Sequence, residues 1–141
     1  MSGNSQTGYS LIELLVVLAI TGILASIAMT NFQVFTERSY DSAAEADYRN
    51  LKTGLTSALT DPNSPNRFVF RNRRGPGVFP YPLSGTGLSD SVEATVFHQT
   101  RLRRNGRPQT QTRLDVYHLR GGKHFRYREV DGVITEQVLE R

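Results

Sequence analysis

Cysteine and tryptophan are both absent from the 141 residues of this chain. Without cysteine there is no disulfide framework, no thiol nucleophile and no thiolate-bound zinc or iron–sulfur centre. Lysine and arginine are missing from residues 1–12. A secretory signal begins with a basic stretch and ends in a small-residue cleavage site, and neither is found here. Paired nucleophile, base and acid are lacking too. His98, His118 and His124 fall in strand-like segments without the tight spacing of a metal site. Asp115, Glu129, Asp131 and Glu136 do not compose an oxygen-rich calcium loop. Gly75-Pro76-Gly77 and Gly85-Thr86-Gly87 have no phosphate-loop lysine. The sequence therefore predicts no enzyme, no catalytic residue, no metal and no cofactor.

Hydrophobic residues make up 38% of the chain, but they are unevenly placed. Leu14 to Met29 carries no charge, and the apolar run extends back to Leu11 with only Glu13 interrupting. Nineteen helical residues span roughly 28 Å at 1.5 Å each, close to the ~30 Å hydrocarbon core of a bilayer. A retained membrane helix over residues 11–29 is the expectation. Glu13 is costly in such a place and needs a reason. Ser10-Leu11-Ile12-Glu13 fits a capping box, in which the carboxylate returns to the backbone N–H of the serine and suits the positive end of the helix. The alternative is that Glu13 meets a cation from another chain.

Past Asn31 the pattern becomes amphipathic. Tyr40, Ala44, Tyr48, Leu51, Leu55 and Leu59 recur at steps of three or four, one stripe of a helix. Glu37, Arg38, Asp41, Glu45, Arg49 and Lys52 lie off it. Asp61-Pro62 should end the helix, since the residue before proline avoids helical angles. One helix from Ser10 to Thr60 follows, too long for a globule of this size. Residues 61–90 are rich in proline and glycine and are expected to be a connecting loop with little regular structure. From Ser91 apolar and polar residues alternate, broken by Asn105-Gly106, Gly121-Gly122 and Asp131-Gly132, all hairpin formers. An antiparallel meander of three or four strands should cover the Tyr40–Leu59 stripe.

Charge is also unevenly divided. Residues 1–61 hold three basic and six acidic side chains, a net of −3, and residues 62–141 hold 14 and seven, a net of +7. Thirteen of those 14 are arginine. They concentrate at Arg67, Arg71, Arg73 and Arg74 and at Arg101, Arg103, Arg104 and Arg107. Such clusters attract DNA or another polyanion, or pair with acidic helix faces of neighbouring chains.

Gly8-Tyr9-Ser10-Leu11-Ile12-Glu13-Leu14-Leu15-Val16-Val17, followed by Ala19-Ile20-Thr21-Gly22-Ile23-Leu24-Ala25, resembles the N-terminal segment of type IV pilins and type II secretion pseudopilins. The likeness continues through Asn31-Phe32, Tyr40 to Ala44, and Arg49 to Thr53. Over residues 8–60 it is nearest to the short type IV pilins of deltaproteobacteria. The resemblance implies an α+β, lollipop-like fold: a cleaved leader over 1–8, a long helix over 9–60 and a small head over 61–141. It implies cleavage between Gly8 and Tyr9 by a prepilin peptidase and N-methylation of Tyr9. Glu13 would neutralise the Tyr9 amine of a neighbouring subunit. The partners would be other pilins in a homo- or hetero-polymer and, before assembly, the lipid of the inner membrane. The chain would cross that membrane once, with its head in the periplasm, and end in an extracellular filament used for adhesion or motility. A minor pilin binding DNA through the arginine clusters and a secretion pseudopilin are the alternatives. Two departures stand out: the leader has no basic residue, and Thr30 occupies a place where many pilins have proline, so nothing there forces a kink. Tyr9, Phe32, Phe35 and Tyr40 match positions linked in the deltaproteobacterial pilins to electron conduction.

Overall fold

A computed structural model describes residues 8–141. The leader expected over residues 1–8 therefore lies, except for Gly8, outside the described residues. One helix, α1, runs without interruption over Leu11–Thr60. Seven strands follow: β1 Arg67–Arg74, β2 Gly77–Val78, β3 Gly87–Leu88, β4 Val92–Leu102, β5 Pro108–His118, β6 Lys123–Val130 and β7 Val133–Glu140. Two compact units divide the chain, residues 1–36 and residues 37–141.

The second unit is built on a five-stranded antiparallel sheet in the order β1-β4-β5-β6-β7. The four strands from β4 onward are the predicted meander, and its turns fall at the predicted dipeptides. Asp131 and Gly132 both have positive φ, 51° and 85°, the conformation a two-residue hairpin turn of this kind requires. The Gly121-Gly122 turn serves a different end. A Cβ on Gly121 would collide with the Asp41 carboxylate, and one on Gly122 with that of Glu37. Gly121 is the more constrained of the two, because the Asp41 carboxylate is buried and held by Lys123, whereas the exposed Glu37 can swing aside.

The stretch over 61–90 differs from the expected loop. It contains β1, which joins the sheet beside β4 with Phe68 opposite His98 and Phe70 opposite Val96. Phe68 is buried and Phe70 packs against the core. Edge position explains why arginines can fill the rest of β1: one side of the strand remains in water. β2 and β3 pair as a separate two-stranded ribbon, with Phe79, Leu83 and Leu88 buried.

Ala44, Tyr48, Leu51, Leu55 and Ala58 of α1 share one buried cluster with Val92, Ala94, Val96, Leu114, Val116, Phe125 and Tyr127 of the sheet. The Tyr48 ring stacks on Phe125 at 5.8 Å. Its hydroxyl donates to Glu136 Oε2 at 3.1 Å, and Lys52 pairs with the same carboxylate. Burial raises the Tyr48 phenol well above its ordinary value, and Glu136 adds to the effect.

Two carboxylates of α1 depart from a solvated face. Asp41, expected off the apolar stripe, is buried and accepts the Lys123 backbone N–H at 3.0 Å. Asp47 is 5% exposed and accepts both the N–H (2.6 Å) and the hydroxyl (3.1 Å) of Ser89. Each buried charge is satisfied by donors from another segment, the condition under which such burial is tolerated.

Candidate assembly segment and basic clusters

In the first unit the helix lacks a preferred face. Leu11, Ile12, Leu14, Leu15, Val16, Val17, Leu18, Ile20, Ile23, Leu24, Ile27 and Met29 are all exposed. A helix that is apolar all round belongs inside lipid or among other helices. Full burial of each such side chain stabilises by about 1.5–3 kcal/mol. By length and composition α1 can cross a membrane. Its threonine hydroxyls fit that role, because they are satisfied by the helix itself. Thr21 donates to Val17 O at 2.7 Å, Thr30 to Ser26 O at 3.3 Å and Thr36 to Phe32 O at 2.7 Å. Such bonds remove the need for water in an apolar medium. Thr30 sits within unbroken helix, in keeping with the absence of a proline there.

Glu13 lies in the first turn of α1. Its Oε2 accepts the Ser10 N–H at 2.7 Å, so the carboxylate forms its half of the capping box. Tyr9 precedes the helix and is 85% exposed. Among the described residues neither Tyr9, Phe32 nor Phe35 stacks on another ring, whereas Tyr40 stacks on His118 at 4.3 Å.

All eight arginines of the two predicted clusters are exposed, but the sheet divides them differently from the sequence. Arg67 stands opposite Gln99, two residues before Arg101 on β4. Arg73 and Arg74 stand opposite Ala94 and Glu93, roughly 17–20 Å further along the strand at ~3.3 Å per residue. Arg74 pairs with Glu93 at 3.4 Å and Arg103 with Asp131 at 3.2 Å. Arg67 therefore keeps company with the β4–β5 tip, and Arg71, Arg73 and Arg74 do not.

A third group was not singled out in the sequence. Arg113, Asp115 and Tyr117 of β5 stand opposite Arg128, Arg126 and His124 of β6. Alternation puts these six side chains on the sheet face away from the core. Arg126 Nε donates to Asp115 Oδ1 at 2.6 Å, and Arg113 Nε donates to Oδ2. Burial alone would raise the Asp115 carboxyl; the bonds and charges of Arg113 and Arg126 outweigh it and hold it below its ordinary value. His124 is lowered chiefly by burial, against the opposing pull of Asp115. The signal was present in the Arg-x-Asp and Arg-x-Arg spacings, but it becomes legible only once the Gly121-Gly122 turn fixes the register.

Comparison with known proteins centres on the same N-terminal segment. Residues 3–29 match the family model of the prokaryotic N-terminal methylation motif. The chain is 42% identical over 58 residues to a fimbrial protein of Pseudomonas aeruginosa, a stretch covering 41% of this chain and 38% of that one. It is 37% identical over 62 residues to the type IV major alpha-pilin of Moraxella bovis, covering 44% and 39%. With the type IV major pilin protein PilA of Myxococcus xanthus it shares 44% over 54 residues, covering 38% and 24%. The match thus spans less than two-fifths of the length of each of these relatives. No solved structure is a match. Motif, helix and relatives agree on one point: the N-terminal segment of the chain is similar to that of type IV pilins and fimbrial proteins.

Proposed function

We propose that the protein is a structural subunit of a type IV pilus, polymerised through the apolar part of α1. The observation that carries this reading is a helix with large apolar side chains exposed on every side and one carboxylate, Glu13, at its start. The precursor is held in the inner membrane by residues 11–29, with its sheet domain in the periplasm. A prepilin peptidase cleaves between Gly8 and Tyr9, and the new Tyr9 amine is methylated. The helix then leaves lipid for a core of neighbouring helices in an extracellular filament.

Glu13 acts in that transfer as a test of register. Its Oε2 is engaged by Ser10, and Oε1 has no partner among the described residues, so it is open to the Tyr9 amine of the adjoining subunit. Two charges leaving water together must pair, and an unpaired one is strongly penalised. A subunit that slides to the wrong depth buries both without a partner.

Glu13→Ala tests this in cells that make the filament. The variant should accumulate in the membrane at normal levels while sheared filament yield drops at least tenfold. Filaments of normal abundance would remove the pairing mechanism. Mass spectrometry of the mature chain should find methylated Tyr9 at the N-terminus, and a mature chain beginning at Met1 would overturn the pilin reading itself.

A further inference from the structure

The outer face of the sheet should be a solvated polar surface, yet Asp115 in its middle is only 4% exposed. The residues over it are two arginines and a histidine. Arg113 and Arg126 each give their Nε–H to one of its oxygens, and His124 Nε2 lies 3.3 Å from Oδ1 without a hydrogen bond of its own. A guanidinium has five N–H donors. Because Asp115 takes the Nε of both arginines, their terminal amino groups are oriented but not consumed.

The arrangement carries more positive charge than Asp115 can balance. Arg113 and Arg128 are direct cross-strand partners on one face, a placement that is destabilising for like charges. Arg128 and Arg71 take part in no ion pair among the described residues. Arg71, Arg113 and Arg128 line one open cleft of about 670 Å³, together with Asp115, Phe97 and Tyr117. Glu129 reaches the rim, but its carboxylate accepts the Tyr127 hydroxyl at 2.9 Å. Three guanidinium groups therefore border the cleft, and its one other carboxylate is already fully engaged by Arg113 and Arg126.

We propose that this cleft binds a phosphate or carboxylate oxyanion, gripped by Arg113 and Arg128 and closed over by Arg71. Planar guanidinium forks match both oxyanions in a bidentate way. Asp115 is a positioning residue: it holds Arg113 in place, as outer partners hold the ligands of a metal site. The cleft is larger than a bare ion needs and falls in the range of small-molecule sites. Beside the arginines it offers the rings of Phe97 and Tyr117. An anion attached to a sugar fills it better than a free one. The site is separate from the exposed clusters at Arg73–Arg74 and at the β4–β5 tip, and its existence does not depend on filament assembly.

The test is calorimetric titration of the full chain in detergent at low salt with three probes: inorganic phosphate, glucose 6-phosphate and a galacturonate oligosaccharide. At least one probe should bind with a one-to-one stoichiometry. Tighter binding of the sugar-borne anions, by tenfold or more, assigns the site to an acidic or phosphorylated sugar. Equal binding of all three assigns it to the free oxyanion. Arg128→Gln and, separately, Arg71→Gln should each weaken binding at least tenfold. Arg104→Gln, on the β4–β5 tip, should leave it unchanged. Arg71 is exposed on an edge strand, so its loss should leave the fold intact, to be checked by circular dichroism. The proposal fails if no probe binds at low salt, or if Arg104→Gln weakens binding as much as Arg71→Gln does, since attraction would then belong to the net charge alone.

Discussion

The two parts of α1 obey the same helical geometry and have opposite surroundings. From Leu11 to Met29 every large apolar side chain is exposed, and the Thr21 hydroxyl turns inward to the helix's own Val17 carbonyl. From Asp41 to Ala58 the apolar residues are sorted onto one stripe, and two carboxylates between them are buried against donors from distant segments. A continuous hydrogen-bond ladder therefore says nothing about what stabilises a helix. The second part is held by tertiary packing within its own chain, whereas the first must find its partners elsewhere.

Substitution can break the contrast most sharply at the core. Leu51 is fully buried, and Leu51→Ala should cost about 2–5 kcal/mol in denaturant unfolding of the sheet domain. Leu18→Ala, on the exposed part, should leave that transition where it is. An equal shift for both would mean that the two parts share one cooperative unit.

A smaller effect is expected at Asp47. Asp47→Ala removes the acceptor for the Ser89 N–H and hydroxyl, and unmade buried bonds cost about 1–3 kcal/mol. Urea midpoints of the variant and the parent give the difference. Glu13 is the matching carboxylate in the other part, and its removal should leave the same midpoint unmoved.

The smallest effect is set by pH. Burial lowers His98 and His124 below their ordinary values. The unfolded chain then takes up protons before the folded one as pH drops below about 6.5. Stability from these rings is complete above that value and declines as pH falls toward the folded values. Asp115 is lowered as well, so its contribution is lost only when pH falls below the ordinary carboxylate range. Thermal melts of the sheet domain should therefore drift down from pH 7.5 to pH 5 and drop further below pH 4. The only ionisable side chain in Leu11–Thr36 is Glu13, so helical content there should not change between pH 7.5 and pH 5.

Much of this was legible before the structure. The three-and-four spacing and Pro62 give the helix and its end, and three turn dipeptides divide β4 to β7. β1 was hidden because the prolines and glycines on either side of it made residues 61–90 read as a connecting loop, although Phe68 and Phe70 alternate as a strand's buried face should. Asp41 and Asp47 were hidden for a different reason. Local periodicity assigns carboxylates to water, and only the chain's return places Lys123 and Ser89 beside them. The Arg113–Asp115–Arg126 group likewise depends on register between two strands.

The unbroken course of α1 also has a mechanical meaning. No proline lies between Leu11 and Thr60 to act as a hinge, and in the second unit the helix is bound to the sheet as well as packed on it. A pull along the helix axis within that unit meets two tethers, the Asp41 carboxylate on the Lys123 N–H at the start of β6 and the Asp47 carboxylate on Ser89 after β3. Both would be loaded in shear together with the packed stripe, and shear is the direction in which many bonds must yield at once rather than one after another.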